Sequence, residues 1–137
     1  MADAALAIRA VPPAQATPEA LAAALAETFG DRPLRSGRVR IEAPQLFEDG
    51  NVVPVTVSVD SPMSALDHVL AIHLFAEKNN LPRVIEFRLT PAMGHACVAT
   101  RVRLSTSQRI QAVAEMSSGS LWTAAAEVEV TNAGCGL

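Results

Sequence analysis

Two thiols, Cys97 and Cys135, are the side chains of this 137-residue chain best suited to covalent chemistry. Cys135 stands in the tail Gly134-Cys135-Gly136-Leu137. A thiol sulfur is a good nucleophile, and as a persulfide or thiosulfonate it becomes a sulfur leaving group that can be exchanged or oxidised. Gly134 and Gly136 make the backbone around it slim and free to turn, as a tether entering an enzyme cleft must be. If the last strand ends near Val130, the residues on to Cys135 extend about 17 Å. The nearest ionisable neighbour in sequence is the carboxylate of Leu137, which disfavours the thiolate, and no cation or helix N-terminus stands by to activate it. Cys135 is thus expected to be an ordinary thiol that becomes reactive in the sites of other proteins. On spacing alone a stray thiol in a frayed terminus fits equally well.

Cys97 falls on the same side of its segment as Ala99, Arg101 and Arg103, opposite the expected core face. A disulfide with Cys135 would need the Cα atoms within about 7 Å. The two cysteines match no zinc or redox spacing. His68 and His73, five positions apart in one segment, point to opposite faces and form no metal cluster with His95; surface or interface positions are expected for them. No metal and no cofactor are expected. Arg101 and Arg103 read either as the solvated side of a sheet or as contacts for an acidic partner. The chain holds no Ser/His/Asp arrangement, paired-carboxylate motif or glycine-rich phosphate loop that would mark an enzyme.

Half of the residues are apolar, 18% are charged, and the net charge is −3. Disorder and nucleic-acid binding are both disfavoured by that balance. No apolar run approaches the ~18 residues of a membrane span, so a soluble protein without a membrane partner is expected. Residues 1–16 lack the basic start and leucine-rich stretch of an export signal.

The elements that must position these residues follow from periodicity. Thr17-Pro18-Glu19 reads as an N-cap, a first-turn proline and a first-turn acid, followed by Leu21, Leu25 and Phe29 on one face; a helix over about 17–29 is predicted, ended by Gly30. The pattern then changes to alternation rich in Val, Ile and Thr. Seven strands are predicted: 39–43, 52–59, 68–77, 84–89, 96–104, 110–116 and 122–130. Val53, Val55, Val57 and Val59 share one face of the second, and Pro54 within it calls for an edge or a bulge. These short antiparallel steps argue for an all-β, immunoglobulin-like sandwich. Residues 1–36 read as a helical extension, 37–131 as the sandwich and 132–137 as a mobile arm. In the third strand both faces are apolar: Leu70, Ile72 and Leu74 line one, and Val69, Ala71 and Phe75 surround His73 on the other. Either the N-terminal helix or a loop covers that second face, or Val69, Ala71, His73 and Phe75 are a candidate partner interface.

Four segments carry a resemblance to a known family: Glu48-Asp49-Gly50-Asn51-Val52-Val53-Pro54-Val55, Ala71-Ile72-His73-Leu74-Phe75-Ala76-Glu77-Lys78-Asn79, Thr100-Arg101-Val102-Arg103-Leu104 and Ala112-Val113-Ala114-Glu115-Met116-Ser117-Ser118-Gly119-Ser120. In this order, and ending in a glycine-flanked cysteine, they are similar to the SoxY family of sulfur-oxidation carrier proteins. The resemblance runs from about Gly37 to the C-terminus.

It implies a sandwich bound tightly to a SoxZ-like β protein, with a carrier cysteine at Cys135. It also implies transient visits to a SoxXA-like haem protein that joins thiosulfate to the thiol, to a SoxB-like hydrolase that releases sulfate, and to a molybdenum sulfane dehydrogenase. The carrier would itself catalyse nothing. A periplasmic location and a removed export signal follow from the same resemblance. The tail departs from the family's Gly-Gly-Cys-Gly-Gly at Ala133 and Leu137, which places passage through a narrow tunnel in question. Two other functions stand beside the carrier: an interaction module whose tail is incidental, and a thiol oxidoreductase using both cysteines.

Overall fold

The computed structural model describes residues 18–132; the side chain of Pro18 is not among what is described, and Cys97 is the cysteine within that range. One helix, α1 (Pro18–Phe29), precedes nine strands: β1 (Leu34–Ser36), β2 (Val39–Glu42), β3 (Leu46–Asp49), β4 (Val53–Val59), β5 (Val69–Ala76), β6 (Arg83–Arg88), β7 (Ala96–Val102), β8 (Gln108–Met116) and β9 (Leu121–Asn132). A six-stranded sheet runs β1-β9-β8-β5-β6, with β3 also paired to β9, and faces a three-stranded sheet ordered β2-β4-β7. This is the immunoglobulin-like sandwich read from the alternation.

The core lies between the sheets. Val53, Val55, Val57 and Val59 of β4 are all buried and meet Ile72 and Leu74 of β5, and Ile110, Ala112, Ala114 and Met116 of β8. Alternation puts these side chains on one face because successive Cβ atoms of a strand point to opposite sides. Pro54 sits in a central strand rather than at an edge. The β2 pairing nevertheless stops at Glu42↔Thr56, so at Pro54 only Arg101 of β7 lies across, and the missing N–H costs no ladder bond on the β2 side.

Three features depart from the sequence expectation. β1 and β3 were not among the seven strands, and both pair with β9 in parallel, Leu34↔Leu121 and Leu46↔Glu129, so the sheet is not an antiparallel meander throughout. β1 also joins residues assigned to the N-terminal extension directly to the sandwich. In β5, a register shift between Val69 and Ala71 against β8 turns Val69 into the main core and leaves Leu70 37% exposed, reversing the faces assigned to both.

The second face of β5 is closed by α1. Phe29 packs with Phe75, Val113 and Leu121, while Leu21, Ala24 and Leu25 rest on the same cluster, as the four-residue spacing predicts. Gly30, at φ +69, ends the helix and donates its N–H to the carbonyl of Ala26 at 2.8 Å. Val69, Ala71, His73 and Phe75 are consequently buried, and the candidate partner interface assigned to them is corrected: at 3% exposure or less these side chains offer almost no surface.

Beyond the helix the chain enters β1 and turns at Gly37 and Arg38. Gly37 has φ +125, and a Cβ there would lie 3.3 Å from Cζ3 of Trp122. Arg38 is also left-handed, with φ 60, and is held by two bonds from its guanidinium to the carbonyl of Asp60, at 3.0 and 2.9 Å. The guanidinium groups of Arg35 and Arg38 lie 5.9 and 5.6 Å from the Trp122 ring centre.

Candidate functional site

Cys135, Gly134 and Gly136 lie outside the described residues; the structure describes the root from which that tail leaves. The last strand runs to Asn132, so three residues lead on to Cys135 and their contour is about 10 Å, shorter than the reach expected from a strand ending at Val130.

The root is pinned from both sides. On one side β3 pairs with it, Phe47↔Val130 and Asp49↔Asn132, and the Gly50 N–H donates to the Asn132 carbonyl at 2.8 Å. The Thr131 hydroxyl donates to the Glu48 carbonyl at 3.2 Å. On the other side the Ser107 hydroxyl accepts from the Val130 N–H at 2.8 Å and donates to the Val130 carbonyl at 3.3 Å, taking the place of a neighbouring strand.

Behind the root a buried polar network ties the turns together. The Asn79 amide donates to the Arg103 carbonyl at 2.8 Å, and its oxygen accepts from the Ser105 N–H, the Ser105 hydroxyl and the Gln108 amide at 2.9 to 3.0 Å. Gln108 in turn accepts from the Lys78 N–H at 2.8 Å and donates to the Thr106 carbonyl at 2.9 Å. Leu104 N–H reaches the Gly50 carbonyl at 2.7 Å, which connects this network to the turn beside the root. Asn79 and Gln108 are 3% and 4% exposed, so each polar atom must be satisfied here, and each is. The sequence reading missed Ser107, Asn79 and Gln108; the run Ser105-Thr106-Ser107-Gln108 between two alternating segments was the available signal.

An open groove of about 900 Å³ runs beside β9 and is lined in part by Gln45, Lys78, Ser107, Arg109, Glu127 and Glu129. Three of its ionic groups meet: Arg109 lies 3.1 Å from Glu77 and 3.8 Å from Glu127. Among the described residues no three His, Cys, Asp or Glu side chains are grouped to hold a metal.

Cys97 is exposed on the outer face of the small sheet beside Ala99, Arg101 and Arg103, as read from the alternation, and accepts a 3.6 Å contact from the Ser58 hydroxyl. Its register partner is Ser58, whereas Leu104, seven residues on, adjoins the turn at the arm root; about 23 Å of strand lies between. Cys97 and the root of the tail therefore lie at opposite ends of the sandwich.

His73 is not a surface histidine: it is 3% exposed under α1, with the Phe29 ring edge-on at 4.8 Å. Its Nδ1 is 3.8 Å from Glu86 Oε1 and its Nε2 3.6 Å from Glu115 Oε1, both too long for hydrogen bonds, and neither nitrogen has a partner among the described residues. Burial drives its pKa below 6.5, against the pull of Glu86 and Glu115.

No curated protein sequence matches this chain. Among solved structures it is similar to the sulfur carrier protein SoxY from Chlorobium limicola f thiosulfatophilum, with 31% identity over 84% of this chain and 99% of that one, and a TM-score of 0.68. It shares its fold with superoxide reductases: the neelaredoxin from Ignicoccus hospitalis in its E23A form, at 24% identity, 67% and 78% coverage and TM-score 0.60, and a putative superoxide reductase from Thermotoga maritima, at 22%, 73% and 89%, and 0.57. The family described as sulfur oxidation protein SoxY matches residues 25–135, a span that takes in β1 to β9 and ends on the tail cysteine, and this chain belongs to that family.

Proposed function

We propose that the protein is a covalent carrier in thiosulfate oxidation, which holds sulfur intermediates on Cys135 and presents them to partner enzymes. The observation that carries this reading is that the SoxY match extends through the whole sandwich to Cys135 itself. The pinned root supports it, because a carrier must hand over its cargo from a defined place. In the loading step the thiol sulfur of Cys135 bonds to the sulfane sulfur of thiosulfate, releasing one proton and passing two electrons to a SoxXA-like haem protein. Water then cleaves sulfate from the adduct in a SoxB-like hydrolase and leaves a persulfide, which a sulfane dehydrogenase can oxidise. The protein works as a heterodimer with a SoxZ-like subunit in the periplasm.

Intact-mass measurement after incubating the heterodimer with thiosulfate and the haem partner tests the reading. A mass gain of one thiosulfate is expected on the wild type and on Cys97→Ser, and none on Cys135→Ser. Persistence of the adduct in Cys135→Ser would overturn the carrier role. Its loss in Cys97→Ser would instead favour the two-cysteine oxidoreductase, which the distance between the arm root and Cys97 disfavours. In the free protein Cys135 should react as an ordinary thiol; alkylation at neutral pH markedly faster than that of free cysteine would contradict activation by the partners.

A further inference from the structure

The joint between α1 and the sheet is thin. Among the described residues four buried side chains form its cluster, against eighteen in the core between the sheets. Local opening of such a joint costs far less than unfolding the whole domain. Arg32, just past the helix, adds a 3.2 Å ion pair to Glu115 and a 2.7 Å bond to the Gly119 carbonyl.

Under that joint lies His73, whose two ring nitrogens each face a carboxylate. A neutral imidazole has one N–H and one bare lone pair, and ionised carboxylates only accept, so one nitrogen always faces the wrong partner. Protonation would supply the second N–H, and Glu86 and Glu115 both favour the charged ring, yet the loss of water around a ring buried under Phe29 outweighs their pull. Glu86 is already bound by Arg88 at 2.7 Å and Glu115 by Arg32 at 3.2 Å, so each carboxylate is engaged by an arginine. The other neighbours are neutral: Phe29 from α1 lies against the ring, Val113 of β8 lies opposite in the ladder, and Leu121 of β9 belongs to the same cluster. A charged ring is better served by water than by this site.

We propose that His73 is a proton-operated latch: protonation of its ring lifts α1 from the large sheet and exposes Phe75, Val113 and Leu121, while the core between the sheets stays closed. The sign follows from linkage. The buried ring binds its proton more weakly than the hydrated ring, whose pKa is about 6.5. Opening of α1 therefore becomes more favourable as pH falls below about 6.5, by at most tenfold per pH unit for one proton, and levels off below the pKa of the closed state.

Amide hydrogen exchange of the full chain at pH 7.5, 6.5 and 5.5, corrected for the intrinsic pH dependence, reads this directly. Protection of residues 18–29 should fall several-fold to tenfold per unit below pH 6.5, with the amides of β4 unchanged, and His73→Gln should lose the slope. Protection that is constant or rises in acid, or a slope retained in His73→Gln, would overturn the latch. Should that variant not fold, NMR titration of the wild-type imidazole decides: a ring titrating below 6.5 together with shifts of the α1 amides supports it, and a ring titrating at or above 6.5 sinks it. None of these outcomes depends on Cys135 or on the carrier reading.

Discussion

Ser107 holds both backbone polar groups of Val130, and its replacement by alanine would leave an N–H and a carbonyl without partners at the base of the arm. A loss of about 1–2 kcal/mol is expected, with faster amide exchange at Val130, measured by urea denaturation and NMR. Gly37→Ala should cost about 1–3 kcal/mol, because the backbone is left-handed and the new Cβ would press on the Trp122 ring; denaturation followed by tryptophan fluorescence checks it. The two residues differ in how far the sequence announced them. A glycine in Ser36-Gly37-Arg38 is a plain turn signal, but nothing local to Ser107 says that it stands in for a neighbouring strand beside Val130, twenty-three residues away in sequence. Cys135 is singled out by its glycine neighbours and by the resemblance of whole segments, and it lies outside the described residues. His73 was placed on the right face but given the wrong surroundings, since only packing reveals that Phe29 covers it.

Strands whose apolar face was regular were read correctly, and β4 and β8 show why: each buries alternate residues against the opposite sheet. The elements that escaped were those held by something other than alternation. β1 and β3, of three and four residues, exist because β9 offers them an edge, and the bulge at Leu70 is set by the match between β5 and β8. At this scale Asn79 is the sensitive point, since one amide joins the β5–β6 turn to the β7–β8 loop. Asn79→Ala removes four hydrogen bonds and leaves the Arg103 carbonyl and the Ser105 N–H without these partners, while Gln108 keeps its bonds to Thr106 and Lys78, so a loss of roughly 2–4 kcal/mol is expected. Equilibrium denaturation should show a lower midpoint with an unchanged slope if the sandwich itself persists.

For the molecule as a whole, the proposed carrier role with only three residues between the end of β9 and Cys135 requires a partner enzyme to come to the sandwich. Deleting Ala133 shortens the contour by about 3.4 Å. Adduct formation with the haem partner is expected to slow at least tenfold while alkylation of Cys135 by iodoacetamide is unchanged; equal enzymatic rates would mean that the reach is not limiting. The pairing of β9 also bears on how the domain is made. β1 and β3 wait for it across most of the chain, Leu34 for Leu121 and Leu46 for Glu129. Such long-range parallel pairing favours slow folding, because loop closure must precede the contacts that reward it. The large sheet cannot be completed until β9 has left the ribosome, so the pairing that fixes the base of the tail forms only after all the strands before it have been made.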